Sequence, residues 1–90
     1  MTAYEITVSI TPREGILDPE GQAVQGALRS LGFSGVSAVR GGRRIHFRLE
    51  AANEEEARSQ TEEMCRQLLA NPVTEDYGIE IGQAAEAGPR

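Results

Sequence analysis

The sequence has no lysine, no tryptophan and a single cysteine. One cysteine, Cys65, excludes an internal disulfide framework and a thiolate metal cage. Aromatic residues are scarce, at 4% of a 90-residue chain, and apolar residues make up only 39%. Such a chain builds a thin core, so covering a second face by association would add stability. No apolar run approaches membrane-spanning length. The opening residues Met1-Thr2-Ala3-Tyr4-Glu5 carry neither a charged leader nor an apolar segment, so a cytoplasmic protein without membrane contact is expected. Positive charge is also in short supply: 9 arginines stand against 14 acidic residues, for a net charge of −5. An acidic chain repels phosphate backbones, which argues against a nucleic-acid partner. The exclusive use of arginine fits either bidentate anion recognition or a coding bias. Most of these arginines fall on expected solvent faces, which favours the second.

What is present is periodicity. Residues 4–11 place Tyr4, Ile6, Val8 and Ile10 on one face and Glu5, Thr7, Ser9 and Thr11 on the other, predicting a strand with one buried side. Pro12 ends it. Asp18 is placed to cap a helix whose first position is Pro19. Val24, Ala27, Leu28 and Leu31 then form a one-sided stripe, and Gly32 supplies a left-handed end. Gly21 and Gly26 inside this helix mark either close backbone approach or a tolerated cost of about 1 kcal/mol each.

Ile45, Phe47 and Leu49 alternate with Arg44, His46, Arg48 and Glu50, predicting a half-buried strand over 43–50. A weaker strand is expected over 35–40, and Gly41-Gly42 between the two suits a tight hairpin. Asn53 followed by Glu54, Glu55 and Glu56 predicts a capped helix start. Ala57, Thr61, Met64, Cys65 and Leu68 continue that helix, Glu62 and Arg66 form an i, i+4 pair, and Asn71-Pro72 stops it. Tyr77, Ile79 and Ile81 mark a last strand. One domain over 1–82 is expected, followed by a disordered tail over 83–90.

The expected order is therefore β-α-β-β-α-β. This is an α+β two-layer sandwich of the ferredoxin-like, split βαβ kind, an antiparallel sheet with both helices on one face. The other face would carry Thr7, Ser9, Arg44, His46 and Arg48, a flat polar surface open to solvent or to a second copy of the chain.

No catalytic set can be assembled from these residues. A catalytic histidine needs an orienting carboxylate and a reacting partner, and His46 lies mid-strand between two arginines, which work against an imidazolium role. Cys65 sits late in its helix, at the wrong dipole end for a thiolate, and reads as a core residue. Glu54, Glu55 and Glu56 point in different directions and cannot converge on one ion. Arg40, Arg43, Arg44 and Arg48 form a basic patch, but Phe47 alternates inward, so the exposed aromatics of an RNA-recognition sheet are missing. An anion contact across a protein interface suits the patch better. Two loops are richer in special residues than chain reversal requires, at 15–21 and 71–77.

Those loops carry a resemblance. Gly15-Ile16-Leu17-Asp18-Pro19-Glu20-Gly21, then Val39-Arg40-Gly41-Gly42-Arg43, then Met64-Cys65-Arg66-Gln67-Leu68-Leu69-Ala70-Asn71-Pro72-Val73 with Glu75-Asp76-Tyr77, resemble the PurS family. This is the small subunit of phosphoribosylformylglycinamidine (FGAM) synthase. The likeness runs from Tyr4 to Ile81, and Leu-Leu-Ala-Asn-Pro-Val is its most specific piece. Thr74 and Glu20 depart from the aliphatic residue and glutamine expected there.

The resemblance implies a non-catalytic part of a purine-biosynthetic complex. That complex makes formylglycinamidine ribonucleotide from its amide precursor, using glutamine nitrogen and ATP with Mg. A glutaminase subunit releases ammonia, a synthetase subunit activates the amide with ATP, and the small subunit bridges them and self-associates as a homodimer or homotetramer. It implies no cofactor and no metal on this chain. Asp18, Pro19, Gly21, Asn71, Pro72, Glu75 and Tyr77 are then the expected partner-facing residues. Thr7, Ser9, Arg44, His46 and Arg48 are the expected self-association face. A free-standing regulatory domain binding a small metabolite is the alternative on this topology.

Overall fold

The computed structural model describes residues 1–83, and residues 84–90, which hold most of the expected tail, lie outside the described residues. The elements are β1 (Thr2–Pro12), α1 (Pro19–Ser30), β2 (Arg43–Ala51), α2 (Glu54–Met64), a π-helical turn (Cys65–Leu69) and β3 (Glu75–Gln83). The strands form one antiparallel sheet in the order β2-β1-β3. β1 is central and the longest of the three strands, at 11 residues. Tyr4, Ile6, Val8 and Ile10 are all buried. α2 and the π-helical turn lay Ala57, Thr61 and Cys65 on them, while Ile45, Phe47, Leu49, Tyr77, Ile79 and Ile81 pack at the margins. No described helix is long and apolar enough to cross a membrane.

The α+β class, the antiparallel sheet and two helices stand as the sequence predicts. The second strand does not form: residues 35–40 are irregular, and with them the Gly41-Gly42 hairpin is absent. The physical reason is competition for backbone donors. Val39 donates its N–H to Gln25 Oε1 at 3.2 Å, and Gly41 donates its N–H to Asp18 Oδ2 at 2.9 Å. Ala38 takes the left-handed conformation, with φ 57°, which breaks any extended run. A strand needs those N–H groups for its ladder, and α1 side chains take them first.

The two helices also differ from the expected pair on one face. Only α2 packs on the sheet, whereas of the α1 residues only Gly21 is buried. The α1 stripe stays open, with Leu31 at 74% exposure and Phe33 beside it at 58%. The described residues accordingly extend over 51 × 32 × 16 Å. Their radius of gyration is 16.6 Å, against about 12 Å for a compact chain of this length.

α2 begins as predicted. Asn53 Oδ1 accepts the Glu56 N–H at 2.8 Å, and Glu56 Oε1 accepts the Ala52 N–H at 2.5 Å. Its end is different. Ala70 donates to the Cys65 carbonyl at 3.0 Å, an i to i+5 bond that widens the last turn. The wide turn carries Leu68 off the buried stripe to 83% exposure and leaves Leu69 against the core. Arg66 pairs with Glu63 at 2.5 Å, not with Glu62, and Gln67 takes the other Glu63 oxygen at 2.6 Å.

Candidate functional site

Both special loops meet at one end of the sheet, where β1 finishes and β2 and β3 begin. Ile10 pairs with Arg43 and Tyr77, and Pro12 pairs with Glu75. Asp18 caps α1 through Oδ1, accepting the Gly21 N–H at 3.1 Å, while Oδ2 holds Gly41. Gly21 is there because nothing larger fits. A Cβ would stand 2.3 Å from Asp18 Oδ2 and 2.6 Å from the Val39 carbonyl. Gly42 presses on β1 in the same way, its Cβ position 2.2 Å from the Ile10 carbonyl. Gly26 has open space, so the reading of close approach applies to Gly21 alone.

The second loop is held by two arginines. Arg13 donates from Nε to Asp76 Oδ1 at 3.0 Å and from Nη2 to the Pro72 carbonyl at 2.9 Å. Arg43 forks onto Glu75 at 3.1 and 3.3 Å and also donates to the Leu69 carbonyl at 2.7 Å. Asn71 closes the turn: its side chain accepts from Val73 N–H at 3.0 Å, and its own N–H donates to Glu75 Oε1 at 2.8 Å. The Asn71 N–H, followed by Arg43, holds the Glu75 carboxyl below the usual carboxylate range.

The predicted partner-facing residues thus fall into two groups. Asp18, Gly21, Asn71 and Glu75 spend their polar groups on shaping the loops. Pro19 and Pro72 are exposed at the loop surfaces. Tyr77 is not brought to the loop surface, since it lies in β3 and packs against the core. The sequence reading missed Arg13 and Arg43 as clamps, and missed exposed Leu17 and Val73 beside them. An open cleft of about 400 Å³ runs between residues 13–18 and 38–40, with Ile16, Leu17 and Val39 on its walls.

The open sheet face carries the other predicted set. Across β2-β1-β3 its central rows are Arg48-Glu5-Gly82, His46-Thr7-Glu80 and Arg44-Ser9-Gly78. Thr7 Oγ1 lies 2.9 Å from His46 Nδ1, and Glu5 Oε1 lies 2.5 Å from His46 Nε2. Glu5 also accepts from Arg48 at 2.8 and 3.1 Å. Cross-strand register therefore brings His46 a carboxylate from 41 positions away in the chain.

Cys65 is buried, and burial, followed by the nearby Glu62 charge, pushes its thiol pKa up. That is the direction of an inert core thiol. Among the described residues no three His, Cys, Asp or Glu side chains gather as a metal site.

The chain matches the family model described as PurS, phosphoribosylformylglycinamidine (FGAM) synthase, over residues 5–83. It is 45% identical over 78 residues to the phosphoribosylformylglycinamidine synthase subunit PurS of Methanocaldococcus jannaschii, covering 87% of this chain and 94% of that one. It is 48% identical over 79 residues to the same subunit of Synechocystis sp., covering 88% and 79%. Among solved structures it is similar to a chain in the structure of PurLQS from Thermotoga maritima. That likeness has a TM-score of 0.79 and 31% identity and covers 90% of this chain and 99% of that one. The chain therefore belongs to the PurS family of phosphoribosylformylglycinamidine synthase.

Proposed function

We propose that this chain is the non-catalytic bridging subunit of an FGAM synthase complex in purine biosynthesis, an ATP-dependent, glutamine-using amidoligase. The observation that carries the reading is its likeness, over nearly its whole length, to a chain of the Thermotoga PurLQS structure. In this reading the complex works in the cytoplasm. A glutaminase subunit releases ammonia from glutamine, and a synthetase subunit uses ATP and Mg to activate the amide. This chain holds neither cofactor nor metal.

Its contribution is exclusion of water. Ammonia that meets bulk water is protonated and lost as a nucleophile, so a subunit that seals the junction between the two active sites raises transfer without touching the chemistry. The loop end of the sheet is the surface offered to the partners: Asp18, Gly21, Asn71 and Glu75 fix its shape, and Pro19, Pro72, Leu17 and Val73 present its exposed apolar contacts. The chain also self-associates, as a homodimer or homotetramer, through the open face that carries Thr7, Ser9, Arg44, His46 and Arg48. The bare α1 stripe supports an assembled state, because contiguous exposed apolar surface marks an interaction site.

Size-exclusion chromatography of this chain with the glutaminase and synthetase subunits, in glutamine and Mg-ATP, tests the assembly. Co-elution of all three, lost in a Leu17→Asp, Val73→Asp double variant that stays folded, is the expected result. Three separate peaks for the unmodified proteins would contradict it.

A further inference from the structure

The two loops at the end of the sheet are tied together by three consecutive residues. Gly41 gives its N–H to Asp18 Oδ2, which anchors the segment to the 15–21 loop. Gly42 lies so close to β1 that a Cβ there would stand 2.2 Å from the Ile10 carbonyl oxygen, and Arg43 pairs with Ile10 as β2 begins. From that pinned backbone the Arg43 guanidinium reaches the second loop. Nη1 donates to Glu75 Oε2 at 3.1 Å, and Nη2 donates to Glu75 Oε1 at 3.3 Å and to the Leu69 carbonyl at 2.7 Å. One side chain thus joins the end of the π-helical turn to the start of β3, the two points between which the loop runs out and back.

The loop gains little of its shape from burial. Val73 is 75% exposed, and Asn71 and Pro72 are exposed beside it. Its form rests on polar contacts, and of the two arginines Arg43 grips the better covered carboxylate. The Glu75 side chain is 18% exposed, against 62% for Asp76 under Arg13. An ion pair at the surface adds little to global stability. A fork on two oxygens with a further carbonyl contact does fix direction, because a planar guanidinium makes those bonds in one orientation.

We infer that Arg43 is a positioning residue for ammonia transfer: it holds the 71–77 loop at a fixed place relative to the 15–21 loop and so keeps the two partners of this chain aligned. The inference rests on the bridging function proposed above and names the residue that makes the bridge rigid. A junction that excludes water has to close at both contacts at once, and a displacement of about 1 Å is enough to spoil such alignment. Ammonia that leaves through the gap is protonated, and its glutamine is then hydrolysed without product. The exposed apolar contacts at Leu17, Pro72 and Val73 do not depend on the Arg43 charge. Loss of Arg43 therefore leaves the subunits together but wastes glutamine.

The test compares glutamate released with FGAM formed by the three-subunit complex carrying the wild-type chain, R43A or R43K. Each chain is checked for native circular dichroism and for co-elution with the glutaminase and synthetase subunits. The wild-type complex is expected to release about one glutamate per FGAM, and the R43A complex about two or more, as ammonia escapes before transfer. R43K keeps the charge but lacks the planar fork, and should fall between them. A role confined to folding lowers both products together and leaves their ratio at the wild-type value, and that result overturns the inference. A folded R43A chain that no longer co-elutes also overturns it, because Arg43 would then hold the partners together instead of aligning them. If R43A does not fold, R43K decides: a wild-type ratio from its complex overturns the inference, and excess glutamate supports it. A wild-type chain that does not co-elute with the two subunits overturns the bridging function itself.

Discussion

Asp18 and Gly41, 23 residues apart, are joined by a hydrogen bond of 2.9 Å from the Gly41 N–H to the Asp18 carboxylate. The same carboxylate caps α1, so one side chain fixes both the start of the helix and the backbone that returns to β2. Asp18→Ala removes both bonds and should cost about 2–3 kcal/mol, a cap plus a charge-assisted hydrogen bond. Asp18→Asn has a single oxygen, keeps an acceptor for only one of the two donors, and should recover only part of that loss. Urea unfolding of the two variants decides this, and equal losses would contradict the double role.

Gly21 and Gly26 lie in the same helix and should respond to alanine with opposite signs. Gly21→Ala drives a methyl group into Asp18 and the Val39 carbonyl and should destabilise by about 1–3 kcal/mol. Gly26→Ala enters open space and should stabilise by about 0.5–1 kcal/mol. Thermal unfolding of both reads the difference.

Glu75 gives the 71–76 loop a pH dependence. Its carboxyl is held low by the Asn71 N–H and by Arg43, so the folded state favours the ionised form. The stabilisation is present above the ordinary carboxylate range and is lost as pH falls through the lowered value. Amide exchange at Asn71 should therefore quicken relative to the core on acidification. Glu75→Gln should remove that pH dependence while leaving β1 protection unchanged.

Much of this was legible in the sequence. β1, β2 and β3 alternate strictly, and a period of two with one apolar side has no other stable outcome once a helix covers that side. The Asp18-Pro19 and Asn53 starts were legible because capping is local chemistry. The 35–40 strand was misread because alternation shows only that a strand is possible. Whether its N–H groups remain free depends on Gln25 and Asp18, which reach them only through the fold. Leu68 was misplaced because a single i to i+5 bond turns it outward. Arg13, Arg43 and the Glu5–His46 contact depend on strand register, which couples residues 32 to 63 positions apart in the chain. The family motifs pointed to the loop end correctly, yet most of the quoted polar residues there shape the surface, and its exposed contacts are apolar neighbours.

Cys65 should behave as a core thiol. In the native chain it should resist a thiol-labelling reagent, and it should react at once in denaturant. Fast labelling of the folded chain would contradict its burial.

The central claim is that this chain completes an enzyme whose chemistry lies on two other subunits. Its most direct test is FGAM formation from glutamine, Mg-ATP and the amide ribonucleotide, measured with the three subunits alone, in pairs and together. Glutamine-dependent turnover is predicted only when this chain joins the other two, while free ammonia should support turnover by the synthetase without it. Glutamine-dependent turnover at the same rate without this chain, or turnover by this chain alone, would contradict the account.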